Sequence, residues 1–161
     1  MSVNLHSLAS ADRSRWKDGV SASDGLPIRD SGSWIDTKHK LLTYYARLFA
    51  TGMKNRWASR AYLELFSGPG RCLIRKSGKE DLGSPLKVID HEFSKFIFTE
   101  MSVPAAEALA KRLEPHENAR LAEIWCGDCA EGDSENPHPG WLADLCVYRP
   151  HWDWACSLFS D

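Results

Sequence analysis

The chain has 161 residues, of which 43% are hydrophobic and 26% are charged, and its formal net charge is −2. This length fits one domain, and the near-neutral charge excludes a protein that binds nucleic acid through a large overall excess of basic residues. No run approaches the roughly 20 apolar residues that cross a bilayer, and the N-terminus lacks the apolar core of a secretory signal. We therefore expect a cytoplasmic protein without membrane contact.

The N-terminal segment mixes Ser, Asp, Arg and Gly with few large apolar side chains. We expect residues 1–33 to form a flexible arm, because such a segment buries too little surface to offset its ordering entropy. A helix is predicted to begin near Ser33, since Ser33 and Asp36 have the spacing of a capping box. Apolar residues then recur at intervals of three and four, which predicts that this helix packs against a sheet. The apolar stripe consists of Ile35, Leu41, Leu42, Tyr45, Leu48, Phe49 and Met53, with Lys38 as its interruption.

Three apolar runs, each ending in an acid or followed by one, are predicted to form strands. The first run ends at Glu64 and leads into the small turn Gly68-Pro69-Gly70. The second run covers 95–100 and ends in its own acid. The third run covers 121–125 and is followed by Asp128. The repeated pattern predicts that the three acids have related positions in the fold.

The segments between these strands carry signals for helices. Ser84 and Pro85 suit the N-cap and the first turn of a short helix, after a polar loop over 75–81 that we expect not to pack. Ser102 is predicted to cap another helix, which Pro115 ends. Strands and helices that alternate in this order predict an α/β fold, a Rossmann-like open parallel sheet of three to four strands with flanking helices.

Glu64, Glu100 and Asp128 are expected to meet at one edge of the sheet, because the carboxyl ends of parallel strands share an edge. An acid after the second strand can accept hydrogen bonds from ribose hydroxyls, and one after the third can accept from the adenine amino group. The glycine turn lacks both the GxGxxG pattern of dinucleotide sites and the Gly-Lys-Ser/Thr of a P-loop. Among nucleotide-like ligands, this leaves a nucleoside ligand without phosphates. The common example of such a ligand is S-adenosylmethionine. Each acid alone would also suit a solvated loop or a helix cap.

The stretches that carry a family resemblance are 62–71 (YLELFSGPGR), Gly83-Ser84-Pro85-Leu86, Phe98-Thr99-Glu100 and Gly127-Asp128, behind a helix with Trp34, Lys38, Lys40, Leu41 and Tyr44. Together they resemble the three-Cys-motif partner proteins of bacteria and archaea, which look like a divergent branch of the class I S-adenosylmethionine-dependent methyltransferases. The resemblance implies a partner protein with a three-cysteine, radical-SAM-like motif. The cofactor-binding residues that it implies are Glu64, Phe66, Gly68 and Gly70 in the loop motif, Glu100 on the ribose and Asp128 on the adenine side.

Beyond Asp128 the sequence departs from this family. Methyltransferases of this fold typically react through an Asp-Pro-containing segment after the fourth strand, which should lie near 142–148, yet Tyr148-Arg149-Pro150 has no acid before its proline. We therefore place the methyltransferase-like domain at 34–130, expect an irregular or poorly ordered tail over 131–161, and assign no catalytic residue. The expected function is a truncated relative with its cofactor-binding half and impaired catalysis. The alternatives are a noncatalytic partner or binding module that another chain completes, and a nonfunctional gene fragment.

Other chemistry-bearing residues show weaker patterns. The five cysteines are odd in number and irregularly spaced, which favours reduced thiols, and Cys126-Gly-Asp-Cys129 lacks a second pair at zinc spacing, so no metal site is predicted. The histidines, His39 among them, are scattered and are expected to be surface or packing residues. Basic residues around the glycine turn could contact nucleic acid, although a solvated face is the commoner explanation. They are Lys54, Arg56, Arg60, Arg71, Arg75, Lys76 and Lys79.

Overall fold

The computed structural model describes residues 3–7, 11 and 19–128. The predicted tail over 131–161 and the strand expected near 142–148 lie outside these residues. The strands are β1 (Asn4–Ser7), β2 (Arg29–Ser31), β3 (Ala61–Glu64), β4 (Arg71–Ile74), β5 (Lys79–Leu82), β6 (Lys95–Glu100) and β7 (Ala122–Cys126). The helices are α1 (Ile35–Met53), α2 (Ser84–Val88) and α3 (Val103–Leu113), with a short 3₁₀ helix at Glu117–Leu121.

The main sheet contains four strands in the order β1-β7-β6-β3, and every neighbouring pair is parallel. The α/β prediction of an open parallel sheet with three to four strands and flanking helices is therefore confirmed. In β6, Phe96, Ile97 and Phe98 are almost completely buried, which is typical of a parallel strand that is covered on both faces. Helix α3 contacts β6 and β7, and its Leu109 and Leu113 belong to the same core.

A second sheet has three strands in the order β2-β4-β5, of which β4 and β5 follow the glycine turn in the chain. Strands β4 and β5 form an antiparallel hairpin around a turn at 75–78, and β2 joins β4 in parallel. The prediction of an unpacked loop over 75–81 is wrong for its second half, because Lys79–Leu82 pairs with β4 through backbone hydrogen bonds. Cys72 and Ile74 provide the apolar side of this sheet and form a small core with Ile35.

The N-terminal segment differs from the expected flexible arm wherever the structure describes it. Residues Asn4–Ser7 extend the main sheet beside Glu123–Cys126, and Arg29–Ser31 extend the second sheet. Both strands are short and mostly polar, so backbone pairing rather than an apolar pattern holds them in place.

Helix α1 packs through a face that only partly overlaps the predicted one, because Ile35 and Leu42 of the predicted stripe do contact the interior. Its buried residues are Ile35, His39, Ala46 and Ala50, whereas Tyr45 of the predicted stripe is 69% exposed. Ala46 and Ala50 join the main core, since their small side chains allow the helix backbone to approach it closely. The expected capping box is also wrong, because Trp34 is the N-cap residue and makes no side-chain capping bond. None of the helices within residues 19–128 is long and apolar enough to cross a membrane.

Candidate functional site at the carboxyl edge of the main sheet

The Gly68-Pro69-Gly70 turn follows β3 and depends on its glycines. Gly68 and Gly70 have φ angles of +66° and +86°, in the left-handed region that favours glycine. A Cβ atom on Gly70 would lie 3.1 Å from Cδ1 of Leu109. The Gly83 amide donates to the Gly70 carbonyl at 2.7 Å, and a Cβ on Gly83 would lie 2.9 Å from the Gly70 carbonyl carbon. The turn therefore packs tightly against the entry to α2.

Glu100 ends β6 and joins the glycine turn to the start of α3. Its side chain accepts from the Gly68 amide at 2.9 Å and from the Ser102 amide at 3.0 Å. Nη2 of Arg29 lies 3.7 Å from Oε1 of the same carboxylate. The residue is only 6% exposed, so both oxygens lie among donors supplied by the protein itself.

Glu64 ends β3 in a different environment. Its carboxyl group accepts from the Ser84 hydroxyl and, at 3.2 Å, from the Tyr62 hydroxyl. Burial raises the pKa of Glu64 to about 7, against the opposing effect of these two hydrogen bonds and of the positive charge on Lys38. The carboxyl group can therefore gain or lose a proton near neutral pH. The prediction that Ser84 is the N-cap of α2 is wrong, because Gly83 takes that position.

Asp128 follows β7 beside the same edge. The Gly127 amide donates to the Glu100 carbonyl at 3.0 Å, which places the Gly127-Asp128 segment next to the end of β6. In the strand register, Glu100 pairs with Cys126, whereas Glu64 pairs with Phe98. The structure thus brings the glycine turn, Glu100 and Gly127-Asp128 together, and it sets Glu64 two residues further back from the edge.

Two further side chains at this edge affect what it could bind. Phe66, which belongs to the predicted cofactor motif, is 73% exposed directly before the glycine turn, with Leu65 exposed beside it. Ser102 is the N-cap of α3, as predicted, but its hydroxyl makes no capping bond and is buried without a hydrogen-bond partner in the described structure. The edge therefore combines an exposed ring, several acceptors and an unsatisfied hydroxyl, which are groups that suit a ligand with a base and hydroxyls.

Arg112 of α3 joins the N-terminal segment to the glycine turn, a role that the sequence patterns did not predict. Its guanidinium binds Asp24 through two hydrogen bonds of 2.8 Å, and it also donates to the Pro69 carbonyl at 2.6 Å and the Pro27 carbonyl at 2.7 Å. The hydrogen bonds from Arg112 hold the pKa of Asp24 well below its usual range. Arg112 comes three residues after Leu109, so it lies on the apolar face of the predicted helix. A cation on that face indicates a buried charge with a partner elsewhere in the chain.

Arg71, at the end of the matched motif, strengthens the same attachment. Its guanidinium lies 3.6 Å from Asp24 and 3.6 Å from Glu80. Glu80 in turn accepts from the hydroxyls of Ser21 and Ser23. The segment before β2 is therefore fixed to the hairpin and to the glycine turn, and its position supports the site. Within the described residues no group of three His, Cys, Asp or Glu side chains could hold a metal ion.

No protein-family model and no curated protein matches the chain. Among solved structures, the chain is similar to the CcbJ methyltransferase from Streptomyces caelestis, with 24% sequence identity and a TM-score of 0.37. The match covers 55% of this chain and 30% of that protein, so the chain spans less than a third of its length. The α/β assignment rests on the strand order and the parallel pairing of the main sheet.

Proposed function

We propose that this domain binds S-adenosylmethionine, or a similar nucleoside ligand without phosphates, at the carboxyl edge of the main sheet. The supporting observation is the convergence of the glycine turn with the ends of β6 and β7, where the Gly68 and Gly127 amides bind Glu100 at 2.9 and 3.0 Å. Open parallel sheets bind ligands outside the carboxyl ends of their strands, where short loops let the backbone approach. The second sheet and Arg112 hold this turn in place.

Each acid has a role in this proposal. Glu100 is assigned to the ribose hydroxyls: its carboxyl group has about four acceptor positions, the Gly68 and Ser102 amides occupy two, and the ligand must displace present neighbours to reach the others because the residue is 6% exposed. Asp128 accepts from the adenine amino group. The exposed ring of Phe66 offers a flat apolar surface beside the glycine turn.

Glu64 is suited to the charged amino-acid end of the ligand. Burial holds the pKa of its carboxyl group at about 7, so roughly half of the molecules carry a proton at neutral pH. A ligand ammonium group nearby would favour the ionised carboxylate and lower that pKa. Binding at pH 7 should therefore release protons from Glu64.

The resemblance to the three-Cys-motif partner proteins extends the proposal beyond binding. We propose that the domain supplies the cofactor-binding half of a methyltransferase-like protein, with impaired methyl transfer and with a radical-SAM-like three-cysteine protein as its partner. Transfer of a labelled methyl group from S-adenosylmethionine by the isolated 161-residue chain would contradict the impaired catalysis.

A thermal-shift titration tests the binding proposal. Saturable stabilisation by S-adenosylmethionine and by its demethylated product is expected, reaching about 2.7 kcal/mol at a ligand concentration 100 times Kd. Asp128→Asn should weaken binding by about tenfold, since one charge-assisted hydrogen bond is lost. Asp30→Asn, which makes the same change at an exposed position of β2, should bind normally. Absence of stabilisation at millimolar ligand, or equal effects of the two variants, would overturn the proposal.

A binding module completed by another chain is the second candidate. Among the described strands, β3 is at an edge of the main sheet and pairs only with β6. An edge strand presents unpaired backbone groups that favour association unless they are covered. Light scattering coupled to size-exclusion chromatography should then show self-association or a stable complex with a partner, whereas a soluble monomer that binds S-adenosylmethionine alone would exclude this candidate.

A further inference from the structure

An open pocket of about 360 Å³ lies between one face of α1 and residues of β5 and α2. None of its residues has a part in the proposed nucleoside site. Its volume falls within the range of about 300 to 1,000 Å³ that is typical of small-molecule pockets. The residues that line it are Asp36, His39, Lys40, Thr43, Tyr44 and Arg47 of α1, Asp81 of β5 and Lys87 of α2.

His39 lines this cavity with an unsatisfied ring nitrogen. The side chain is only 4% exposed, and Nδ1 is buried without a hydrogen-bond partner. Nδ1 lies 3.9 Å from Oδ2 of Asp81, which is too long for a hydrogen bond. Burial, aided by the charge of Lys87, lowers the pKa of His39. A buried polar atom without a partner is uncommon in a folded domain and indicates that a further group belongs beside it.

The three cations of the cavity, Lys40, Arg47 and Lys87, differ in their acidic neighbours among the described residues. Nζ of Lys87 lies 3.1 and 3.2 Å from the two carboxylate oxygens of Asp81, so these charges offset each other. In the part of the chain that the structure describes, Lys40 and Arg47 make neither an ion pair nor a side-chain hydrogen bond. Asp36 stands one turn before Lys40 on the same face of α1, at the i,i+4 spacing of helix ion pairs, and about 16 Å from Arg47 along the helix axis.

Lys40 and Arg47 lie on one stripe of α1 together with the Thr43 hydroxyl, which can donate a hydrogen bond. Lys40, Thr43 and Arg47 are spaced at i, i+3 and i+7, so they stand above one another on the same face of α1. The Tyr44 hydroxyl lies on the same wall. Arg47 can bind two oxygens of one anion through its planar guanidinium, and Lys40 adds a flexible ammonium group.

We propose that this cavity binds the phosphate group of a small phosphorylated metabolite. A phosphate monoester is close to doubly charged at neutral pH and meets a net positive lining, in which the three cations Lys40, Arg47 and Lys87 face two acids, Asp36 and Asp81. The cavity is larger than a phosphate group alone, so the organic part of the ligand extends towards Asp81 and Asp36.

Nuclear magnetic resonance of the intact chain tests this site with inorganic phosphate as the probe. Phosphate should shift the signals of His39, Thr43 and Tyr44 in a saturable way, and acetate at equal ionic strength should shift them at least several-fold less. Arg47→Gln should weaken phosphate binding by about tenfold, the loss expected for one charge-assisted contact. Arg56→Gln removes the same charge from the exposed turn after α1 and should leave binding unchanged.

Equal responses of the two variants, or equal shifts with acetate and phosphate, would show a general salt effect and overturn the proposal. Both arginines are exposed, so each variant is expected to fold, and its melting temperature serves as the check. Arg47→Gln should still be stabilised by S-adenosylmethionine. The phosphate site and the nucleoside site can therefore fail independently.

Discussion

Glu64 and Glu100 end neighbouring parallel strands, and each follows an apolar run, yet their surroundings differ. Glu100 accepts from two backbone amides, whereas Glu64 accepts from the hydroxyls of Tyr62 and Ser84. Backbone amides can only donate and therefore require an acceptor, but hydroxyl groups can also accept from a protonated carboxyl group. Two acids with the same place in the sequence pattern therefore differ in role: Glu100 joins backbone elements, whereas burial raises the pKa of Glu64 although its hydroxyl donors oppose that rise.

The strand register accounts for this difference. Glu100 pairs with Cys126 at the edge of the sheet, where the glycine turn and the start of α3 offer their amides. Glu64 pairs with Phe98, two residues further back, where Tyr62 and Ser84 surround it. Glu100 therefore connects the glycine turn to the start of α3, and Glu64 can exchange a proton near neutral pH.

The largest expected effect comes from removing the acid that connects elements. Glu100→Ala leaves the buried amides of Gly68 and Ser102 without their acceptor and should lower the free energy of unfolding by about 3 kcal/mol or more. Urea denaturation followed by circular dichroism measures this loss. Glu114→Ala, at an exposed position after α3, should change stability by about 0.5 kcal/mol or less. Similar losses in both variants would contradict a structural role for Glu100.

Glu64→Gln should have the opposite effect on stability. The folded-state pKa of about 7 is raised above the ordinary value of 4.5, so the stabilising contribution is complete below pH 4.5 and is lost as pH rises through 7. This loss amounts to at most about 3 kcal/mol. Urea denaturation at pH 5 and pH 8 should show a smaller pH dependence for Glu64→Gln, with higher stability than the wild type at pH 8. An unchanged pH profile would show that Glu64 titrates normally.

A smaller effect on stability separates backbone strain from steric crowding at the glycine turn. Gly70 and Gly78 both have positive φ, but only Gly70 has side chains close to the position of an added Cβ. Gly78→Ala should therefore lower stability by about 1 kcal/mol through backbone strain alone. Gly70→Ala should lose about 1 kcal/mol more because Leu109 must move. Equal losses in thermal denaturation would indicate that the turn is loosely packed.

Much of the main sheet could be predicted because its strands carry their signal in apolar side chains. Strand β6 was predicted with its observed bounds, β7 was predicted to within one residue, and β3 ends at Glu64 as predicted. The convergence of Glu100 and Gly127-Asp128 followed from parallel pairing alone. These elements are local and strongly apolar, so the sequence pattern and the packing agree.

The remaining elements depend on contacts that no local pattern contains. Strand β1 is polar and forms through backbone pairing with a distant partner, Glu123–Cys126, while the polar strand β5 forms through a hairpin with β4 that has no apolar alternation. The Arg112 and Asp24 pair joins residues 88 positions apart. In α1 the small side chains of Ala46 and Ala50 extend the buried face, so a pattern based on large apolar residues includes Ile35 and Leu42 correctly but also places exposed residues such as Tyr45 in the core.

Proton release on ligand binding tests the central claim most directly. Calorimetric titration of S-adenosylmethionine at pH 7, in two buffers that differ in ionisation enthalpy, gives the number of protons released. The wild-type chain should release more protons than Glu64→Gln, because burial raises the pKa of Glu64 to about 7 and the ligand cation lowers it on binding. Absence of binding heat, or equal proton release by the two proteins, would contradict a nucleoside site whose charged end faces Glu64.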